Sequence, residues 1–251
     1  MSATSIEWQI ATVKAIHNET NRVKTLTLQL PRWSPHEAGQ HYDIRLTAED
    51  GYQAQRSYSI ASAPERSGEI DLTVEKIDSG EVSPYLHDVL IPGDRIEVRG
   101  PIGGYFIWDG ATNEPLLLIA GGSGIVPLMA MLRHRAARAI KPPARLLYSA
   151  RSFEDIIYYD ELENLLKEKD GLKIYYTLTR TQPAGWKGYS RRIDRKMLNK
   201  VIQPLDRPFQ VFICGPTLLV ESAAEEMVGL GIPAKNIRTE RFGPSNSIQG
   251  G

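Results

Sequence analysis

The sequence predicts two domains: an N-terminal antiparallel β-barrel and a C-terminal α/β domain with a doubly wound parallel sheet. Three observations lead there. Apolar residues alternate with polar ones through the first hundred positions. Short continuous apolar runs alternate with helical patterns from Glu114 onward. A polar, turn-rich stretch, 108–113, separates the two rhythms. The first domain is expected at 1–110, the second at 111–243, and a mobile tail at 244–251.

In the first domain Leu26, Leu28 and Leu30 alternate with polar neighbours, as do Tyr42, Ile44 and Leu46. Ile70, Leu72 and Val74 repeat the pattern, and Ile96 and Val98 close it. A period of two puts successive side chains on opposite faces of a strand. Gly, Pro, Asp and Asn punctuate the runs, so they read as short antiparallel strands interrupted by one helix over 83–90.

In the second domain 115–120 is a short apolar run, as a strand covered on both faces requires. A helical pattern follows through Leu128, Met131 and Leu132. The alternation continues with strand 145–149, helix 160–169, strand 172–178, strand 209–214, helix 218–230 and strand 237–242. Strand–helix repetition of this length makes an open parallel sheet with helices on both faces.

Composition narrows the function classes. Lys+Arg is 30 and Asp+Glu is 30, so no global field draws nucleic acid or an anionic membrane. No run approaches the ~18 apolar residues of a membrane span, and MSATSIEWQI lacks the marks of a secretory signal. A cytoplasmic protein is the expectation. Cys214 is the single cysteine, so a cysteine-ligated iron–sulfur cluster, with its about four thiolates, is excluded. His17, His36, His41, His87 and His134 show no metal-ligand spacing, and no metal is expected.

Three segments carry chemistry. Ile119-Ala120-Gly121-Gly122-Ser123-Gly124-Ile125 runs from a buried strand through glycines into a helix. Glycine lets the backbone approach a pyrophosphate, and a helix N-terminus offers unpaired N–H groups and a favourable dipole. The pattern is neither G-x-G-x-x-G nor a P-loop, and read alone it also fits a ligand-free turn. Cys214-Gly215-Pro216 ends another apolar strand before a helix. Ligands of open parallel sheets gather at such strand ends, so both turns face one crevice. Cys214 is then either a small buried apolar residue or part of a site. Arg56-Ser57-Tyr58-Ser59 lies in a barrel strand, with Arg56 and Tyr58 on one face and Ser57 and Ser59 on the other. A guanidinium suits phosphate and a tyrosine ring suits a planar heterocycle, although the same residues also make an ordinary half-exposed strand.

In order, Arg56-x-Tyr58-Ser59, Gly80-Glu81-Val82-Ser83, Gly100-Pro101-Ile102-Gly103, Gly121-Gly122-Ser123-Gly124, Cys214-Gly215-Pro216 and Glu240-x-Phe242 make the chain resemble the ferredoxin–NADP reductase superfamily, over roughly residues 7–243. The resemblance implies a flavoprotein reductase without a fused iron–sulfur domain. Such an enzyme moves hydride from NAD(P)H to bound FAD, then electrons to a separate acceptor: a ferredoxin, a flavodoxin or an oxygenase component. Two other readings share the motifs: a flavin reductase using dissociable flavin, and a non-catalytic regulatory subunit that binds flavin and nucleotide.

By position, Arg56 matches the arginine on the flavin phosphate, Tyr58 the aromatic packed on the flavin, and Ser59 the hydroxyl beside its reacting N5 edge. Val74 and Lys76 lie where relatives line the flavin. Gly80, Val82 and Ser83 match the loop meeting the FAD diphosphate, with Ser83 capping the next helix; this second phosphate contact favours FAD over FMN. Gly121, Gly122 and Gly124 match the nicotinamide pyrophosphate loop, faced by Gly215 and Pro216. Cys214 and Glu240 match residues near the nicotinamide and join Ser59 as the implied catalytic group. Phe242 replaces a C-terminal aromatic that covers the flavin. Thr179 and Arg180 stand where relatives selective for the 2′-phosphate carry a hydroxyl and an arginine, which points to NADPH over NADH, with Arg151 and Lys187 as helpers.

Overall fold

A computed structural model describes residues 6–203, 205 and 208–242; the tail expected at 244–251 lies outside the described residues. The alternating segments become β1 (Gln9–Thr20), β2 (Val23–Gln29), β3 (His41–Thr47), β4 (Gln53–Ser59), β5 (Glu69–Glu75) and β6 (Arg95–Ile102). They form an antiparallel sheet in the order β4-β3-β6-β1-β2-β5. The two ends of that order meet: Ile60 bridges Leu72, and the Ala61 N–H donates to the Asp71 carbonyl at 2.8 Å. The sheet curls round Leu26, Leu28, Tyr42, Ile44, Ile70, Leu72, Val74 and Val98, all fully buried. Alternation does not reveal β1, because register shifts between Val13 and Ala15 and between Asn18 and Thr20 break its period.

Helix α1 (Val82–Asp88) begins one residue before the expected start, and Ser83 does not cap it. Glu81 precedes the helix and makes no side-chain cap bond. Ser83 lies within the first turn, and its hydroxyl accepts from the Ile77 N–H at 3.0 Å. The loop before α1 folds back, with the Gly80 N–H on the Ile77 carbonyl at 2.8 Å. The N–H that reaches the Ser83 oxygen is therefore a loop donor.

The second sheet comprises β7 (Leu116–Gly121), β8 (Ala144–Ala150), β9 (Leu172–Leu178), β10 (Gln210–Pro216) and β11 (Ile237–Phe242), in the order β11-β10-β7-β8-β9. Every pairing is parallel. Leu116 and Leu118 pack with α2 (Ile125–Ala137) and α3 (Tyr159–Lys167) on one face. Leu117 and Ile119 pack with α4 (Arg195–Ile202) and α5 (Thr217–Gly229) on the other. Burial on both faces is why these strands read as unbroken apolar runs. Helix α4 adds an element to those read from sequence: the Asp194 carboxylate caps it by accepting from the Met197 N–H at 2.8 Å.

The strand order reverses between β7 and β10, and their chains leave toward opposite faces, opening a crevice there. The barrel docks beside it. Ala38, Ala61, Phe106 and Trp108 join the core around α2, and Phe106 meets Phe212 edge-on with centroids 5.5 Å apart. Arg133 on α2 donates to the Ala61 carbonyl at 2.7 Å, and the Tyr158 hydroxyl donates to Thr73 on β5. Among the described residues no helix is long and apolar enough to cross a membrane.

Candidate functional site

Gly121 ends β7, and Gly122–Gly124 form a single 3-10 turn that leads into α2. A Cβ at Gly124 would sit 2.1 Å from the Cys214 carbonyl oxygen, so only glycine lets this turn lie on the β10 turn. Gly215 backs onto Gly121 in the same way, its would-be Cβ 3.0 Å from the Gly121 nitrogen. Gly122 differs: its φ is +54° and nothing lies within 4 Å of its missing side chain. Two of the glycines thus serve packing between the turns, and Gly122 keeps the backbone exposed.

Gly121, Gly122 and Ser123, with Pro216 from the facing turn, line a cavity of roughly 630 Å³, a size suited to a small-molecule or cofactor site. Its opposite wall comes from the barrel: Thr20, Arg22, Val23, Glu75 and Ile77. Phe242, Leu218 and Leu219 add apolar surface on the β10–β11 side. On the β8–β9 side the lining is Ser149, Ala150, Arg151, Asp155, Thr179 and Arg192. The Thr179 N–H and hydroxyl both donate to the Ala150 carbonyl, at 3.0 and 3.2 Å. Arg180 and Lys187 are exposed and lie outside this lining. Arg192 occupies the wall instead, and no local motif marks it in the sequence.

Cys214 and Glu240 are direct register partners of β10 and β11. Cys214 is fully buried, and burial pushes its thiol well above the usual range, helped by the Glu240 charge. Burial also pushes the Glu240 carboxyl up to about 7, and its Oε2 has no hydrogen-bond partner within the protein. A carboxyl that exchanges its proton near neutrality is a candidate for chemistry.

On β4, Tyr58 lies opposite Tyr42 and Ser57 opposite Asp43. Asp43 gathers the Ser57 hydroxyl at 2.6 Å, Gln55 at 2.9 Å and Arg99 at 2.7 Å; Ser57 is thereby part of the barrel's own bonding. Ser59 is buried, and its Oγ finds no protein partner. Tyr58 is half-buried, which pushes its phenol far above the usual range. The Arg56 guanidinium is exposed and lies 3.7 Å from Glu81, which accepts from the Tyr52 hydroxyl at 2.7 Å. The fold thus brings Arg56 to the 80–83 loop. Val82 is buried in the barrel core, and a Cβ at Gly80 would crowd the Ile77 carbonyl at 3.1 Å. Val74 also points into the core, its carbonyl bonded to His87 Nε2 at 2.9 Å. Lys76 pairs with Asp88 at 2.6 Å.

Buried polar atoms are normally hydrogen-bonded. Ser59 Oγ and Glu240 Oε2 are not, and Gly122 leaves open space beside the crevice. These features fit a bound flavin and dinucleotide.

The oxidoreductase FAD-binding domain family matches residues 10–107, and the oxidoreductase NAD-binding domain family matches residues 118–225. Ferredoxin–NADP reductase B of Sorangium cellulosum is 37% identical over 210 residues, covering 82% of this chain and 85% of that protein. The glycine betaine monooxygenase reductase subunit of Pseudomonas aeruginosa is 32% identical over 208 residues; these cover 82% of this chain and 56% of the subunit, so the chain spans about half its length. The fold is shared with a ferredoxin NADP+ reductase from Neisseria gonorrhoeae, at a TM-score of 0.79 and 20% identity, over 93% of this chain and 98% of that one. The chain belongs to the ferredoxin–NADP reductase family of NAD(P)H-dependent flavoprotein oxidoreductases.

Proposed function

We propose that the chain takes hydride from NADPH in the crevice between its domains, uses FAD held on the barrel, and delivers electrons to a separate protein acceptor. The observation that carries this reading is the cavity itself, walled on one side by the glycine turn and on the other by barrel residues from β5 and the β1–β2 hairpin. The relatives include a ferredoxin–NADP reductase and an oxygenase reductase subunit, so a ferredoxin, a flavodoxin or an oxygenase component is the class of acceptor.

Arg56 and the backbone around Gly80, Val82 and Ser83 would hold the two phosphates of FAD, which is the reason to prefer it to FMN. Tyr58 would pack on the flavin ring, with Val74 and Lys76 contributing through the β5 edge. Gly121, Gly122 and Pro216 would cradle the dinucleotide pyrophosphate, with Gly124 and Gly215 holding the two turns together, and Phe242 would shield the rings from water. Bound FAD supplies the hydride-accepting ring and the change from paired to single electrons. The protein orients the two rings and excludes water. Ser59 offers a hydroxyl with no competing protein bond, Cys214 stays a neutral thiol, and Glu240 holds or releases a proton near neutrality.

The preference for NADPH is supported by Arg151, Thr179 and Arg192 along the β8–β9 side of the cavity. Asp155 is on the same side, but its carboxylate is taken by the Ser152 N–H and hydroxyl at 3.1 and 2.9 Å. Mass spectrometry of the protein purified from native lysate tests the cofactor assignment. One FAD per chain is expected, and FMN would contradict it. A second reading, a dissociable flavin, is favoured by one feature: Glu81 offsets part of the Arg56 charge. Gel filtration separates the two, since a dissociable flavin is lost from the protein peak.

A further inference from the structure

We propose that Glu75 is an internal counter-anion of the dinucleotide turn, a barrel carboxylate that opposes the pyrophosphate and so limits how tightly the nucleotide binds. The inference rests on the cavity being the dinucleotide site.

Glu75 ends β5, in register with Val23. Its side chain crosses from the barrel to the cavity, where Oε2 accepts from the Ser123 hydroxyl at 2.7 Å. Ser123 is the middle residue of the Gly122–Gly124 turn that opens α2. The first N–H groups of a helical run lack partners within it and carry its positive end. A carboxylate is drawn there for the same reason as a phosphate, so both anions must share one small region. Lys76, next to Glu75, and Arg22, next to its register partner Val23, already have carboxylate partners, Asp88 at 2.6 Å and Asp78 at 2.9 Å. The same hydrogen bond ties the barrel to the glycine turn, so Glu75 combines a positioning contact with a repulsive charge. The two effects separate by substitution.

Glu75→Gln keeps an oxygen that accepts from Ser123 and removes the charge; Glu75→Ala removes both. Calorimetric binding of NADP+ and NAD+ to the purified full chain tests the proposal. Glu75→Gln is expected to tighten both dinucleotides by roughly three- to tenfold, more at low salt, the scale of one like charge in a cleft. The ratio of the two affinities should stay at the parent value, because the pyrophosphate is common to both. Glu75→Ala should tighten both as well. Unchanged or weaker binding in both variants, or a change in the ratio alone, overturns the proposal. Failure of the parent to bind either dinucleotide instead overturns the reading of the cavity on which it rests.

Discussion

Cys214 and Glu240 face each other across the β10–β11 pair, a buried thiol beside a carboxyl that burial raises to about 7. The pairing has a consequence for stability. Between the ordinary value of 4.5 and about 7 the folded chain keeps a proton on Glu240 that the unfolded chain releases. The Glu240 contribution to stability is therefore fully present below that window and is lost as pH rises through it. Glu240→Gln removes this part of the pH dependence. The variant should match the parent near about pH 4 and exceed it by on the order of 2 kcal/mol near about pH 8. Urea denaturation at the two pH values measures this, and parallel pH profiles for parent and variant would contradict it.

The glycines of the β7 turn should not be equivalent. Gly124→Ala drives a methyl group to within 2.1 Å of the Cys214 carbonyl, so the two turns must separate. A loss of at least about 2 kcal/mol in stability is expected, with dinucleotide binding abolished. Gly122→Ala meets no atom and carries only the strain of a positive φ, about 1 kcal/mol. Thermal melts of the two variants should differ in that order.

Ser59→Ala should leave the stability of the flavin-free protein nearly unchanged, because Ser59 Oγ makes no protein hydrogen bond. Flavin content should also persist, while hydride transfer slows by ten- to a hundredfold, about 1.4–3 kcal/mol of lost orientation. Single-turnover kinetics read the rate directly. An unchanged rate removes Ser59 from the catalytic group.

Arg192→Ala should raise KM for NADPH by roughly tenfold or more, as loss of a charge-assisted phosphate contact does, and hardly alter KM for NADH. Arg180→Ala should have the smaller effect, since Arg180 lies outside the cavity lining. Steady-state kinetics with both nucleotides decide the matter, and a larger effect at Arg180 would restore it as the phosphate ligand.

Much of this was legible in the sequence wherever a local pattern reports a local constraint. Leu26 and Leu28 show the barrel's single inward face, and Leu116 to Ala120 show a strand covered on both sides. The glycine turns are legible because the close approach of two backbones permits no side chain, whatever the ligand. Strand β1 escaped because its bulges shift the period, and α4 because Asp194 follows Arg191 and Arg192 in what reads as a loop. Ser83 misleads because its place just inside the helix sends the hydroxyl to Ile77. Arg192 and Glu75 reach the cavity only through tertiary folding, from segments distant from the glycine turn, so no spacing announces them. Arg180 shows the reverse: it adjoins Thr179 in sequence, yet Thr179 lines the cavity and Arg180 does not.

On the reading proposed above, the two domains together pass hydride from a nicotinamide dinucleotide to bound flavin. Anaerobic stopped-flow mixing of the FAD-loaded protein with NADPH, and separately with NADH, tests it most directly. Rapid loss of the visible absorption band of the oxidised flavin is expected, faster with NADPH at equal low concentrations. A flavin band that persists with both nucleotides would contradict the account.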